Sequence, residues 1–292
     1  METFHKYRIA REGKLYQMME KFDNEKAIEE IQTNEMETNV IPAHLCDIEQ
    51  MYDVKILLAV ESGSRAWGFE SVNSDWDVRF IYVHKPEWYF KVNEQRDVIE
   101  HMYEDDVDLA GWDLKKALGL FKKSNPSLLE WLNSPKVYCE DKEFVSRIRE
   151  VEKDFFNPVK SMYHYNHMYN KDNERYLQKE GCDMKRFFYY LRGILACKWI
   201  ESNKTLPPVA FKELLNATIE DNVIKEKINE LIRIKKSGEE HDMLIVDDSL
   251  VDYARHLADY YNGIIDSFRP ELNEASTDAL DSILYDMVMA NA

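Results

Sequence analysis

Two aspartates separated by one residue, Asp75 and Asp77, are the side chains in this sequence best placed for metal chemistry. They lead into an apolar, β-branched segment, and residues i and i+2 of a strand face the same side, roughly 6.6 Å apart along the chain. Two carboxylates ~4 Å apart repel by ~4 kcal/mol at an effective dielectric constant of ~20, so such a pair favours a bound cation. Hard oxygen ligands in an open site suit Mg²⁺, whose remaining positions phosphate oxygens can fill. An exposed turn is the alternative, because serine, asparagine and aspartate are common turn formers.

A glycine and a serine, Gly63 and Ser64, follow the preceding apolar segment. Glycine allows a sharp turn and a close approach of a ligand to the backbone, and a helix that begins here would direct its free N–H groups at an anion. The Ser64 hydroxyl adds a donor, so a phosphate group is the natural ligand. Gly-Ser after a strand is, by itself, most often a simple turn. The short spacer between this turn and the two aspartates indicates a combined phosphate and metal site.

Strand patterns surround both motifs. Apolar, β-branched or alternating segments that are typical of strands occur at residues 54–60, 78–83, within 97–110, and at 137–139. Helical periodicity covers residues 113–123, and Asn125-Pro126 has the form of an N-cap followed by a first-turn proline. These elements predict a small sheet that carries the candidate site, with helices packed on it.

Strand signals nearly vanish after about residue 141. Helices are predicted over residues 143–170, 183–201, 209–217, 221–236, 249–267 and 275–289. We therefore expect an α+β chain with three parts. They are a helical N-terminal arm over residues 1–45, a sheet domain with helices over 46–142, and an all-helical domain over 143–292.

The composition limits the class of protein. Among 292 residues, 38 Lys+Arg against 55 Asp+Glu give a net charge of −17, which excludes a protein that coats nucleic acid through bulk positive charge and disfavours anionic membranes. No apolar run approaches the ~20 residues that span a bilayer, and no signal peptide is evident. The four cysteines form no CxxC pair, which fits a reducing cytoplasm. We expect a cytoplasmic protein without membrane contact; the sequence does not fix its oligomeric state.

Five sequence blocks occur in one order: ESGSRAWGF, SDWDVRFIY, GWDLKKAL, NPSLLEWL-SP and KRFFYYLRGILACKWI. They lie within residues 54–216 and resemble the polymerase-β-like nucleotidyltransferases associated with RNA-repair ligases, a subfamily of the DNA polymerase β superfamily. The resemblance implies that the sheet domain is a nucleotidyltransferase catalytic domain. The helical domain after it would line the substrate cleft.

The resemblance also implies roles for both motifs. Gly63 and Ser64 would hold the triphosphate of an NTP, and Asp75 and Asp77 would bind two Mg²⁺ ions, or Mn²⁺ in their place. Arg79, two residues beyond Asp77, is equally consistent with a salt bridge that holds the aspartates and with a substrate contact.

The superfamily needs a third carboxylate from a neighbouring strand. The candidates are Asp105, Asp106, Asp108 and Asp113. We choose Asp108 because it lies inside the strand pattern of residues 107–109, whereas Asp113 fits an N-cap and the other two fit a loop. The expected catalytic and metal-binding residues are then Asp75, Asp77 and Asp108.

Four further residues are candidates for nucleotide contacts. Arg65 adjoins the Gly-Ser turn and could hold a phosphate through two hydrogen bonds. Lys185, Tyr189 and Arg192 are spaced i, i+4, i+7 on a predicted helix and form one stripe, which can stack a base or hold phosphates. A helix that extends its charged side chains past a core is the alternative.

The expected activity is transfer of a nucleoside monophosphate from an NTP to an acceptor hydroxyl, with release of pyrophosphate, by a two-metal mechanism. The ligase association implies an RNA end as the acceptor, and the negative net charge favours a short or structured end over a long duplex. One alternative is transfer to a protein or a small molecule. The other is a non-catalytic nucleotide-binding or assembly module, which the presence of both aspartates with the Gly-Ser turn argues against.

Overall fold

The computed structural model describes residues 32–71, 74–170, 184–237, 247–271 and 275–292. The chain divides into two units, residues 1–48 and 49–292. In the first unit, a π-helical turn, Met36–Val40, leads into helix α1, Ile41–Tyr52, which continues into the second unit. The arm predicted over residues 1–45 is helical from residue 32 onward, and residues 1–31 lie outside the described residues.

The second unit contains a mixed β-sheet. Its strands are β1, Val54–Glu61; β2, Trp76–His84; β3, Val98–Met102; β4, Val107–Asp113; and β5, Val137–Glu140. They lie side by side in the order β3-β4-β2-β1-β5. β2 and β4 run parallel, and the other neighbouring pairs are antiparallel. The central strands β1 and β2 are buried along most of their length, as their apolar, β-branched sequences favour.

Helices follow the strands and make up most of the rest of this unit. They are α2, Gly63–Trp67; α3, Pro86–Tyr89; α4, Leu114–Lys122; α5, Pro126–Leu132; α6, Lys142–Phe155; α7, Pro158–Asn170; α8, Met184–Asn203; α9, Phe211–Thr218; α10, Asn222–Lys236; α11, Asp248–Ile264; and α12, Asp278–Met289, with a 3₁₀ turn at Ile265–Ser267. The expected α+β class is confirmed. In the part of the chain that the structure describes, no helix is both long enough and apolar enough to cross a bilayer.

Two predicted helix starts have the expected side-chain caps. Asp113 Oδ1 accepts the N–H of Lys115 at 2.9 Å at the start of α4. Asn125 Oδ1 accepts the N–H of Leu128 at 3.0 Å at the start of α5. Each cap satisfies a donor that has no partner within its helix, and so fixes where the helix begins.

Two hydrophobic cores hold the second unit together. The sheet core joins one face of the sheet to α4, α5, α6 and α12, around side chains such as Ile81 and Phe121. The helical core is formed by the five helices α7, α8, α9, α10 and α11. It also includes Trp67, which follows the Gly-Ser turn. Each fully buried large apolar side chain contributes roughly 1.5–3 kcal/mol by leaving water. The turn at Gly63 therefore lies where the sheet core meets the helical core. The domain boundaries at residues 45 and 142 stay predictions.

The structure corrects the single helix predicted over residues 143–170. Two helices, α6 and α7, occupy this segment. Pro158 disfavours the helical conformation for the residue before it, and α6 already ends at Phe155, because the next residue, Phe156, is extended at φ −67° and ψ 125°. The break allows α6 to stay on the sheet core while α7 enters the helical core.

Candidate active site

The backbone turns sharply at Gly63, directly after β1. Gly63 has a φ of +61°, which glycine adopts without strain, and it is the first residue of α2. The next residue, Ser64, is half-buried. A Cβ atom added at Gly63 would lie closer than 3.0 Å to Oδ2 of Asp77. The N–H of Ser62 donates to the carbonyl oxygen of Asp77 at 2.8 Å. The Gly-Ser turn and the strand that carries Asp77 are therefore in direct contact.

Asp77 and Asp108 are neighbours across the parallel strands β2 and β4. Nη2 of Arg79 lies 2.9 Å from Asp77 Oδ1 and 2.9 Å from Asp108 Oδ2, so one guanidinium nitrogen bridges both carboxylates. Nη1 of Arg79 donates to the Asp108 carbonyl at 2.9 Å. The two carboxylates are about one-third exposed, 33% and 34%, so they face an accessible space rather than the core. The salt-bridge interpretation of Arg79 is the one that the structure shows.

Asp75, the third predicted carboxylate, is close enough to Asp77 for its charge to affect the pKa of Asp77. Burial is the main cause that raises the pKa of Asp77, and repulsion from the charges of Asp108 and Asp75 raises it further. The cations Arg79 and Lys185 oppose this shift. Asp75 itself is exposed. The structure thus brings Asp77 and Asp108 together at one guanidinium, and the charge of Asp75 acts on Asp77; added positive charge would stabilise this acidic cluster.

Lys185 and Tyr189 of α8 lie beside this cluster. Lys185 is exposed, and its charge lowers the pKa of Asp77. Tyr189 is half-buried and packs edge-on against Trp67, with ring centroids 4.7 Å apart. Burial raises the pKa of Tyr189, and the charge of Asp77 contributes to the same shift. These two residues of the predicted stripe therefore interact electrostatically with Asp77.

Arg192, the third residue of the stripe, does not reach the open site. Its side chain is 0% exposed, and Nη2 lies 2.8 Å from Glu130 Oε1. Its guanidinium carbon lies 4.6 Å from the centre of a Trp67 ring. A guanidinium that is enclosed in this way cannot contact a nucleotide without leaving its partners. In this structure Arg192 joins α8 to α5 through Glu130, and its contact with a nucleotide stays a prediction.

Arg65 is also enclosed, although it follows the Gly-Ser turn. It is 7% exposed, and Nη2 donates to the carbonyl of Ser74 at 2.7 Å. Its guanidinium carbon stacks 3.7 Å above a Trp76 ring. These contacts hold the segment that carries Asp75 in front of β2, so the geometry favours a supporting role over the predicted phosphate contact.

The sequence matches a known family over most of its length. The model of the RNA repair pathway DNA polymerase beta family, RlaP, matches residues 38–286. The chain belongs to the RlaP family. This confirms the resemblance and the general class, a polymerase-β-like nucleotidyltransferase family.

Individual proteins resemble this RlaP-family chain to different degrees. The uncharacterized protein YcgL of Bacillus subtilis (strain 168) is 50% identical over 196 residues, which cover 67% of this chain and 75% of YcgL. A nucleotidyltransferase-like protein from Exiguobacterium sibiricum 255-15, solved by crystallography at 1.90 Å, aligns with 84% of this chain and 78% of its own at 11% identity. The TM-score of this alignment is 0.29.

Mg²⁺ stays a prediction for this site, and the donor chemistry of the cluster fits such an ion. Asp75, Asp77 and Asp108 offer hard oxygen ligands. Asp77 and Asp108 lie close enough to share one guanidinium nitrogen, so they can also share a metal ion. Within the described ranges, no three or more His, Cys, Asp or Glu side chains are already arranged to hold a metal. The guanidinium of Arg79 lies between two of the three predicted ligands, Asp77 and Asp108.

One residue of the candidate site escapes sequence reasoning. Glu61, the last residue of β1, is 0% exposed, and its Oε1 accepts the N–H of Asp77 at 2.9 Å. An acidic residue that ends a largely apolar strand, just before the Gly-Ser turn, is the signal that could have pointed to it.

Proposed function

We propose that this protein transfers a nucleoside monophosphate from an NTP to an acceptor hydroxyl, and that an RNA end is the acceptor. The observation that supports this proposal most strongly is the position of Asp77. Its carboxylate lies against the open backbone of Gly63 on one side and shares Arg79 with Asp108 on the other. A phosphate at the turn and a cation at the carboxylates would then be neighbours.

The reaction joins the acceptor oxygen to the α-phosphorus and breaks the bond between the α-phosphorus and the bridging oxygen. Pyrophosphate leaves with that electron pair, and the hydroxyl proton passes to solvent. Two Mg²⁺ ions held by Asp75, Asp77 and Asp108 would neutralise the triphosphate and favour the alkoxide form of the acceptor.

The residues of the chain itself bind and orient the reactants. Gly63 carries no side chain, so the Asp77 carboxylate can lie directly against the turn at which we place the phosphate. Lys185 supplies positive charge that acts on Asp77, and Tyr189, which packs against Trp67, would offer an aromatic surface to a base. Positioning and charge stabilisation supply nearly all of the catalysis in phosphoryl transfer.

The function is tested by incubating the protein with each α-labelled NTP, Mg²⁺ and a panel of RNA ends, proteins and small alcohols. We expect label on an RNA end and stoichiometric pyrophosphate. Label on a protein or on a small alcohol would instead establish the alternative acceptor class.

A non-catalytic nucleotide-binding module is the second candidate, and the position of Arg79 favours it. Its guanidinium occupies the gap between Asp77 and Asp108 that a metal ion would need. NTP binding without pyrophosphate release, with every acceptor of the panel, would establish this function.

Gly63→Ala should reduce nucleotide transfer by about 100-fold, because the added Cβ displaces the Asp77 carboxylate. The left-handed backbone at φ +61° should also cost about 1–2 kcal/mol of stability. Gly68→Ala is the matched control. Gly68 has a φ of +83°, and an added Cβ there meets nothing within 4 Å. Urea unfolding should show similar losses in both variants, and transfer assays should show a defect in Gly63→Ala alone. Equal activity in the two would remove the Gly63–Asp77 contact from the site.

Lys185→Ala should raise the KM for NTP by about tenfold and leave kcat nearly unchanged. A hydrogen bond to a charged group is worth about 1.5–3 kcal/mol, and 1.4 kcal/mol corresponds to a factor of ten. Arg186→Ala, which changes the next exposed residue of α8, is the control. Steady-state kinetics that show the same KM for Lys185→Ala and the wild type would place the triphosphate elsewhere.

A further inference from the structure

Glu61 is a buried carboxylate at the centre of the site with two directed hydrogen bonds. Oε1 accepts the N–H of Asp77 at 2.9 Å, and Oε2 accepts the hydroxyl of Tyr138 on β5. The backbone of Glu61 is fixed as well, because its carbonyl accepts the Ser134 hydroxyl at 2.6 Å. The carboxylate therefore has one defined position between β2 and β5.

Stability alone does not explain an acidic residue here. Transfer of a carboxylate from water into a buried site is costly unless it is compensated. Burial raises the pKa of Glu61 to about 7, while the hydrogen bonds from Tyr138 and Asp77 and the charge of Arg65 only partly oppose the shift. An apolar residue would continue the buried pattern of β1 at lower cost.

The hydrogen bond to Asp77 occurs where the β-ladder ends. The register between β1 and β2 ends at Glu61 opposite Val78, and Gly63 then turns the chain away. The side chain of Glu61 takes the place of the next main-chain acceptor. Together with the Ser62 N–H, which donates to the Asp77 carbonyl, it holds both backbone groups of Asp77.

We propose that Glu61 is a positioning residue that fixes the backbone of Asp77, so that the Asp77 carboxylate faces Asp108 at the cation site. Glu61 acts through Asp77 and does not touch the substrate. Neighbours that orient the groups which bind a metal typically change metal affinity or activity by 10–100-fold when they are replaced. The predicted effect of Glu61 on kcat rests on the proposed function, whereas its predicted effect on the Asp77 backbone does not.

Three variants separate positioning from simple packing. Glu61→Met keeps the approximate volume and removes the acceptor, whereas Glu61→Gln keeps an oxygen that can accept the Asp77 N–H. Tyr138→Phe is the matched control, because it removes the other hydrogen bond of Glu61 and leaves the Asp77 contact in place. Each variant is measured in the full-length chain, well below its melting temperature.

Three measurements are made on each variant. They are hydrogen exchange of the Asp77 amide, Mn²⁺ affinity by electron paramagnetic resonance, and the kinetic constants for NTP. We expect Glu61→Met to exchange faster, to bind Mn²⁺ about 10–100-fold more weakly and to lose about 10–100-fold in kcat with an unchanged KM. Glu61→Gln should rescue all three, and Tyr138→Phe should stay close to the wild type.

These measurements test the role of Glu61 separately from the proposed function. If the wild type transfers no nucleotide to any acceptor, the proposed function fails, while hydrogen exchange and Mn²⁺ affinity still decide the role of Glu61. A folded Glu61→Met with wild-type exchange at Asp77 overturns the proposal. So does a Glu61→Met variant whose exchange is faster but whose Mn²⁺ affinity and kcat match the wild type, because Glu61 would then only fill space.

Discussion

Asp77→Asn should reduce nucleotide transfer by at least about 10³-fold while the protein stays folded. Asparagine keeps the shape of the side chain but removes the negative charge that a cation needs, at the point where the Gly63 turn and Asp108 meet. Stability should change little, because burial and the repulsion from Asp108 and Asp75 already disfavour the ionised form of Asp77 and raise its pKa. Transfer assays and thermal melts measure the two effects.

Asp106→Asn is the matched control for this prediction. Asp106 is exposed and has a φ of +61°, a conformation that asparagine tolerates, so the change removes one charge nearby without strain. It also tests the choice of Asp108 over Asp106 as the third carboxylate. A strong defect in Asp106→Asn, or near-normal turnover in Asp77→Asn, would contradict the assignment.

Arg192→Met should destabilise the protein by about 3–5 kcal/mol, because it leaves Glu130 without its buried cation. The ion pair between Nη2 of Arg192 and Oε1 of Glu130, at 2.8 Å, joins α8 of the helical core to α5 of the sheet core. The same substitution removes the cation over Trp67, whose ring packs against Tyr189. Urea unfolding measures the loss of stability, and weaker NTP binding should accompany it.

A double substitution distinguishes loss of the pair from loss of packing. Glu130→Met combined with Arg192→Met removes both charges, and part of the lost stability should return because no unpaired charge remains. Recovery should be incomplete, since the Tyr165 hydroxyl also donates to Glu130 Oε1 at 2.6 Å. Arg233→Ala, at an exposed pair with Glu230, should cost less than about 1 kcal/mol. A similarly small cost for Arg192→Met would mean that the pair does not hold the two cores together.

Features fixed by neighbouring residues were predictable from the sequence. The strand at Asp77, the turn at Gly63 and the caps at Asp113 and Asn125 depend on residue types a few positions apart, and the structure shows each of them. The helix break before Pro158 also depends on neighbouring residues. The prediction missed it because the apolar periodicity continues on both sides of the break.

Features that depend on distant residues were not predictable. The stripe spacing of Lys185, Tyr189 and Arg192 is real, but burial of Arg192 depends on Glu130, which is 62 residues away. Helical periodicity places residues on a face and does not say which part of that face another element will cover. The role inferred for Glu61 has the same origin, because its two partners come from other strands.

We propose that Asp75, Asp77 and Asp108 form a cation site next to a phosphate-binding turn. Crystals grown with Mn²⁺ and a non-hydrolysable NTP test it directly, because the anomalous signal locates each metal ion. We expect Mn²⁺ between Asp77 and Asp108, Arg79 moved out of that gap, and the triphosphate at Gly63 and Ser64. Nucleotide bound elsewhere, with Arg79 still bridging the two carboxylates and no metal peak beside them, would contradict the account.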